Sequence, residues 1–216
     1  MKQKKQNHIT CILSDLGKVV ADFDNELTVA RFAQHTAQPP AFLRSVLFHA
    51  DHGLQRPSEA GEFTTGDFRT AVRKACSLDP KLSDDDFDDI YANVFTPMTE
   101  VMTLWGRLRN KGITLSAVSN IDELRWEPLV MMGIPERFDH LILSYEEELL
   151  KPSEELMIRA LDRSGAKAEE SVFIDDKPEN LVPAAKLRIR VHQYETYNGL
   201  LEFLETNGLG DLIYPN

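Results

Sequence analysis

Apolar positions along the chain follow two rhythms. Short, nearly unbroken runs rich in Ile, Val and Leu occur at 9–14 (ITCILS), 113–119 (ITLSAVS), 140–144 (HLILS), 171–175 (SVFID) and 188–193 (RIRVHQ). Runs of this kind suit strands of a sheet that is covered on both faces. Between the later runs the apolar spacing lengthens to three and four residues. Met98, Val101, Met102, Trp105 and Leu108 mark a helix over 96–112, Leu156, Ile158 and Leu161 mark another over 153–165, and 177–188 forms a third. The first two stop at Gly112 and Gly165, as helices often do. Strand–helix alternation predicts parallel strands joined by right-handed crossovers, an α/β domain with helices on both faces of the sheet.

One connection breaks the alternation. Residues 15–112 separate the first two strands, and most of 24–95 reads as helical, in the stretches NELTVARFAQHT, PAFLRSVLFHA, TTGDFRTAVRKAC and SDDDFDDIYANVF. A compact domain rarely carries so long a connection without structure of its own. It is therefore expected to be an all-helical cap inserted after the first strand, over 23–96, with the core built from 1–22 and 97–216. ADFDNE (21–26) is the expected hinge. SDDDFDDI (83–90) lacks the glycine and the distal glutamate of a calcium loop. Ser83 instead reads as a helix N-cap followed by acids that complement the helix dipole.

Charge and composition narrow the partners. A net charge of −11 argues against nucleic acid or an anionic membrane as partner, since both require clustered Lys and Arg. Cys11 and Cys76 make no disulfide framework and fit a reducing compartment. The basic start MKQKKQNH reads as a solvated terminus, and the ITCIL that follows is too short to export or span. A cytoplasmic monomer or homodimer is expected.

The candidate chemistry lies at the carboxyl ends of the strands, where open parallel sheets bind ligands. The first strand ends in Asp15 and the second in Ser119-Asn120; Lys151-Pro152 follows the third, and the fourth ends in Asp175-Asp176, with Asn180 close behind. Singly, each is an ordinary turn or cap residue. Together they place carboxylates, a hydroxyl and an ammonium at one edge. Oxygen donors of this kind suit magnesium with a phosphate. Ser119 and Lys151 can hold phosphoryl oxygens, and Asp15 can attack phosphorus. His49 and His52 are three residues apart but have no evident third ligand, so a packing or surface role is expected.

In this order the motifs SDLGKVVADFD, VSN (118–120), KPS (151–153) and FIDDKPEN (173–180) resemble the haloacid dehalogenase-like hydrolase superfamily. The first is similar to the Asp-Leu-Gly-x-Val branch that includes bacterial alpha-D-glucose-1-phosphate phosphatases. EAGEFTTGDF (59–68) extends the resemblance, more weakly, into the cap. The resemblance implies a Rossmann-like core and a Mg2+-dependent phosphatase acting on a small phosphorylated metabolite. By matching position, Asp15 is the nucleophile and a metal ligand, and Gly17 offers its carbonyl to the metal. Ser119 and Asn120 bind the phosphoryl group, Lys151 bridges Asp15 and phosphate, Asp176 binds the metal, and Asp175 supports it.

Gly17 departs from the usual pattern. Most phosphatases of this superfamily carry a second Asp there, which protonates the leaving oxygen. The chain is therefore expected to favour leaving groups that need little protonation, such as sugar 1-phosphates, or to use another acid, with His52, Glu59 and Asp22 as candidates. Arg44, Arg56 and Glu59 are cap residues able to meet substrate. Two other readings stay open: a 2-haloacid dehalogenase, and a phosphate-binding protein without catalysis.

Overall fold

A computed structural model describes residues 8–214. The basic opening at 1–7 lies outside the described residues. The chain enters on β1 (Cys11–Ser14), turns tightly and runs into a short strand, β2 (Ala21–Phe23). Helices α1 (Asn25–Phe32), α2 (Pro40–Phe48), α3 (Gln55–Glu59), α4 (Thr65–Cys76) and α5 (Asp84–Ala92) follow. Strand β3 (Phe95–Pro97) then returns antiparallel to β2, with Phe23 opposite Phe95. The rest alternates: α6 (Thr99–Asn110), β4 (Thr114–Ser119), α7 (Glu123–Met131), β5 (His140–Leu143), α8 (Ser144–Glu147), α9 (Glu154–Ser164), β6 (Ser171–Asp175), α10 (Pro178–Lys186), β7 (Arg190–Gln193), α11 (Tyr197–Leu204) and α12 (Gly210–Ile213).

The main sheet has the order β5-β4-β1-β6-β7, and every neighbouring pair is parallel. This is the expected Rossmann-like α/β arrangement. Alternate residues of the central strands serve opposite faces. Ile12, Leu115, Ala117 and Val172 pack with Leu104, Trp105 and Leu108 of α6 and Leu200 and Leu204 of α11. Cys11, Leu13, Val118 and Phe173 pack with Leu156, Met157 and Ala160 of α9 and Leu181 and Ala184 of α10. Burial on both faces explains why the strands read as unbroken apolar runs.

The inserted helices gather around their own cluster, in which Phe32, Phe68, Phe87 and Tyr91 are fully buried. Thr64 starts α4 with a complete capping box to Asp67. Ser83 caps α5 by accepting the Asp86 N–H at 3.1 Å, as its sequence signature indicates. The cluster also takes in Leu124 of α7, and the Tyr91 hydroxyl donates to Asp122 at 2.6 Å. The inserted helices are thus packed onto the sheet domain through a mixed apolar and polar seam.

Several elements differ from the sequence reading. The hinge at 21–26 is in part a strand, because β2 and β3 pair and bind the two crossings side by side. That pairing claims residues 95–97, and the Met98 N–H donates to Val20 O at 2.8 Å, so the helix expected from 96 starts at Thr99. Helix α7 carries Pro128 inside and buries Arg125, which obscures its helical signature. Among the described residues no helix is long and apolar enough to cross a membrane.

Candidate active site

Strand register brings the site together. Ser14 pairs with Ala117 on β4 and with Ile174 on β6, so the next residues along the three strands are Asp15, Val118 and Asp175. The Asp15 N–H continues the ladder to Ile174 O at 2.8 Å. Lys151 arrives from the connection after β5, and its ammonium lies 2.8 Å from Asp15 Oδ1 and 2.7 Å from Asp175 Oδ2. Lys151 is 3% exposed, Asp15 7% and Asp175 0%. Asn120 fixes the lysine backbone from both sides: its Oδ1 accepts the Lys151 N–H at 2.8 Å, and its Nδ2 donates to Lys151 O at 3.0 Å. The Lys151–Pro152 peptide is cis.

Asp175 is held on every side. Besides Lys151, its carboxylate accepts the Lys177 N–H at 2.9 Å and the Asn180 amide at 2.9 and 3.1 Å. The Leu16 N–H and Lys151 both sit on Oδ1 of Asp15, so Oδ2 is the oxygen engaged by neither. Asp15, Asp175 and Asp176 present oxygens within 4.8 Å of one another. Three carboxylates against one ammonium leave the cluster negative, and hard oxygen donors with excess negative charge fit a divalent cation such as magnesium. Burial pushes the Asp15 carboxyl up to about 6; Lys151 opposes the shift and Asp175 adds to it. Burial also raises Asp176, with Asp175 next. For Lys151 burial works against the charge, but Asp15 and Asp175 outweigh it and hold the ammonium above its ordinary range.

A cavity of about 370 Å³ opens over this cluster. Asp15, Gly17, Ser119, Asn120, Lys151 and Asp176 line its floor, while Asn25, His49, Gln55, Arg56 and Glu59 come from the inserted helices. All seven site residues expected from the sequence, counting Asp175 beneath the floor, meet at this edge of the sheet. Arg56 and Glu59 are at the cavity, but Arg44 is not among its lining residues and is paired on the surface with Glu26. His52 stacks on His49 with centroids 3.6 Å apart and faces a different depression.

The space beside Gly17 is filled. A Cβ there would lie 3.1 Å from the Phe23 ring. The ring is held edge-on to Phe95 at 5.9 Å between centroids, with the Lys18 ammonium 4.8 Å from its centre. The Leu16–Ala21 turn that aims Phe23 back is closed by Lys18 N–H to Ala21 O at 2.8 Å and Val20 N–H to Leu16 O at 2.8 Å. Nothing in the apolar pattern signals this packing; it follows from β2–β3 pairing.

The comparisons with known proteins agree with this architecture. A family model described as haloacid dehalogenase-like hydrolase matches residues 19–187. A glyceraldehyde 3-phosphate phosphatase of Methanopyrus kandleri is 31% identical over 106 residues, 46% of each chain. Another, of Methanothermobacter thermautotrophicus, is 38% identical over 71 residues, 32% of this chain and 31% of the relative. The matched stretches thus span less than half the length of these relatives. Among solved structures, a HAD-family enzyme of Bacteroides thetaiotaomicron in complex with magnesium and inorganic phosphate superposes with a TM-score of 0.75 at 24% identity, over 89% of this chain and 98% of that one. That likeness shows the fold.

Two substitutions test the site's construction. Lys151→Ala leaves two buried carboxylates without their cation and is expected to cost about 3–5 kcal/mol in urea unfolding; a loss below about 1 kcal/mol would contradict the pairing. Gly17→Ala is expected to cost about 1–3 kcal/mol by overpacking against Phe23. In a Phe23→Leu background the same change should be nearly neutral, and an equal cost in both backgrounds would contradict the contact.

Proposed function

The chain belongs to the haloacid dehalogenase-like hydrolases, and from that premise we propose that it is a magnesium-dependent phosphomonoesterase working through an aspartyl-phosphate on Asp15. Its substrate is a small phosphorylated metabolite such as a sugar 1-phosphate. The observation that carries this reading is the Lys151 ammonium bridging Asp15 and Asp175 beside Asp176, at the floor of the cavity. The named activity of the two archaeal relatives supports a phosphate ester as substrate. So does the magnesium and phosphate complex of the structural neighbour.

The residues divide the work among them. Asp15 and Asp176, with the Gly17 carbonyl, would hold the cation, and Asp175 orients Lys151 for the same site. A bound magnesium ion supplies charge compensation for the phosphoryl oxygens. Lys151 and the Ser119 hydroxyl bind those oxygens and orient phosphorus toward Asp15. Asn120 holds Lys151 in place through its two backbone bonds. Asp15 Oδ2 attacks phosphorus and the ester oxygen departs; water then cleaves the acyl phosphate and restores the carboxylate. A haloacid is a poorer fit, because its own carboxylate would meet three more at this edge.

Phosphate release across a panel of phosphometabolites, with and without magnesium, tests the proposal. Activity is expected with magnesium, disappearance in excess EDTA, recovery when magnesium is returned, and background rates for Asp15→Asn. Hydrolysis that persists in EDTA, or an Asp15→Asn variant at full rate, would overturn it.

A further inference from the structure

Resting on that reading, we infer that Glu59, on the inserted helices, supplies the leaving-group proton that Gly17 cannot. Position 17 has no acid, and the Phe23 ring lies where a side chain from 17 would project. Glu59, at the end of α3, borders the same space. It lines the main cavity with Asp15 and Lys151, and a smaller one of about 40 Å³ with Gly17, Phe23, Ser119, Asn120 and Arg125.

Its position is fixed from the sheet domain. The Ser144 hydroxyl, at the start of α8, donates to Glu59 O at 2.6 Å and accepts the Ile121 N–H at 3.0 Å. The chain just beyond Glu59 comes so close that a Cβ on Gly61 would lie 2.5 Å from Tyr145 O, and Gly61 has φ +74°, so both contact and backbone call for glycine. The acid therefore sits on an element docked against the strand ends.

The other two candidates are spent elsewhere. Asp22 is exposed and bonded to Lys18, which holds its carboxyl below the ordinary range. His52 packs on His49 and Ser45, and it is not among the residues lining the main cavity. Around Glu59 the surroundings favour the acid form. Burial, followed by Asp122, pushes its carboxyl up to about 7, against Arg125 and Lys177. When the proton leaves, the new carboxylate forms near Arg125. That residue is 3% exposed, and its Nε and Nη2 have no hydrogen-bond partner among the described residues.

The step balances. Asp15 oxygen bonds to phosphorus as the phosphorus–ester oxygen bond breaks. The electron pair stays on the ester oxygen, which takes the Glu59 proton and leaves as an alcohol. The Glu59 carboxylate then takes a proton from the attacking water, whose oxygen bonds to phosphorus. The bond to Asp15 breaks with its electron pair returning to the carboxylate, and Glu59 is again protonated.

The test compares kcat/KM for an alkyl phosphate, glycerol phosphate, and an aryl one, p-nitrophenyl phosphate, with magnesium present. Glu59→Gln is expected to lose about 10²–10⁴-fold on the alkyl ester and less than about tenfold on the aryl ester, whose leaving group needs no acid. Equal losses on both, or none on either, would overturn the assignment while leaving the phosphatase reading intact. Absence of wild-type turnover on any phosphate ester would overturn both. If Glu59→Gln does not fold, Glu59→Asp serves instead. A larger loss on the alkyl ester then supports the assignment, and a uniform loss contradicts it.

Discussion

A buried ammonium between two buried carboxylates holds the site together. Lys151 has almost no contact with solvent and lies within 2.8 Å of both Asp15 and Asp175. Removing Lys151 strands two carboxylates in a medium that solvates them poorly, so both acids depend on it. The pairing also leaves Asp176 uncompensated in the cluster, which is what makes a divalent cation a suitable guest there. Stability and chemistry thus make one demand: the carboxylates at this edge of the sheet need positive charge beside them.

The fold meets that demand through register. Because β1 lies between β4 and β6 with Ser14 level with Ala117 and Ile174, the three strands end within two residues of one another. Asn120 ties the Lys151 backbone to the end of β4, so the lysine's position follows from the same register. The inserted helices are fastened to this platform by Tyr91 to Asp122 and by Ser144 to Glu59 O. In the proposed mechanism the sheet handles the phosphoryl group and the insertion handles the ester oxygen, and Gly17 with Phe23 marks the boundary between them.

Much of this is readable in the amino-acid order because burial on both faces writes itself as unbroken apolar runs, and strand ends are where charged residues interrupt them. Asp15 and Asp175-Asp176 are visible in that way, Ser119 as the polar end of its run, and Lys151 only as the Lys-Pro that follows the third run. Three things are not. Helix α7 hides behind Pro128 and a buried Arg125. The β2–β3 ribbon is too short for a period-two signal, so Phe23 gives no hint that it fills the space beside Gly17. Asp22, His52 and Glu59 are indistinguishable as acids, because only tertiary packing decides which carboxyl is bonded away to a lysine and which lines the cavity.

The proposed mechanism turns on a covalent bond: Asp15 carries the phosphoryl group between ester and water. That bond can be caught by rapid acid quench of the protein during turnover of a phosphate-labelled substrate in magnesium, followed by peptide mapping. Label on the peptide containing Asp15, lost on treatment with hydroxylamine as an acyl phosphate should be, is the expected result. Label on another residue, or turnover with no labelled protein at any quench time, would contradict the mechanism.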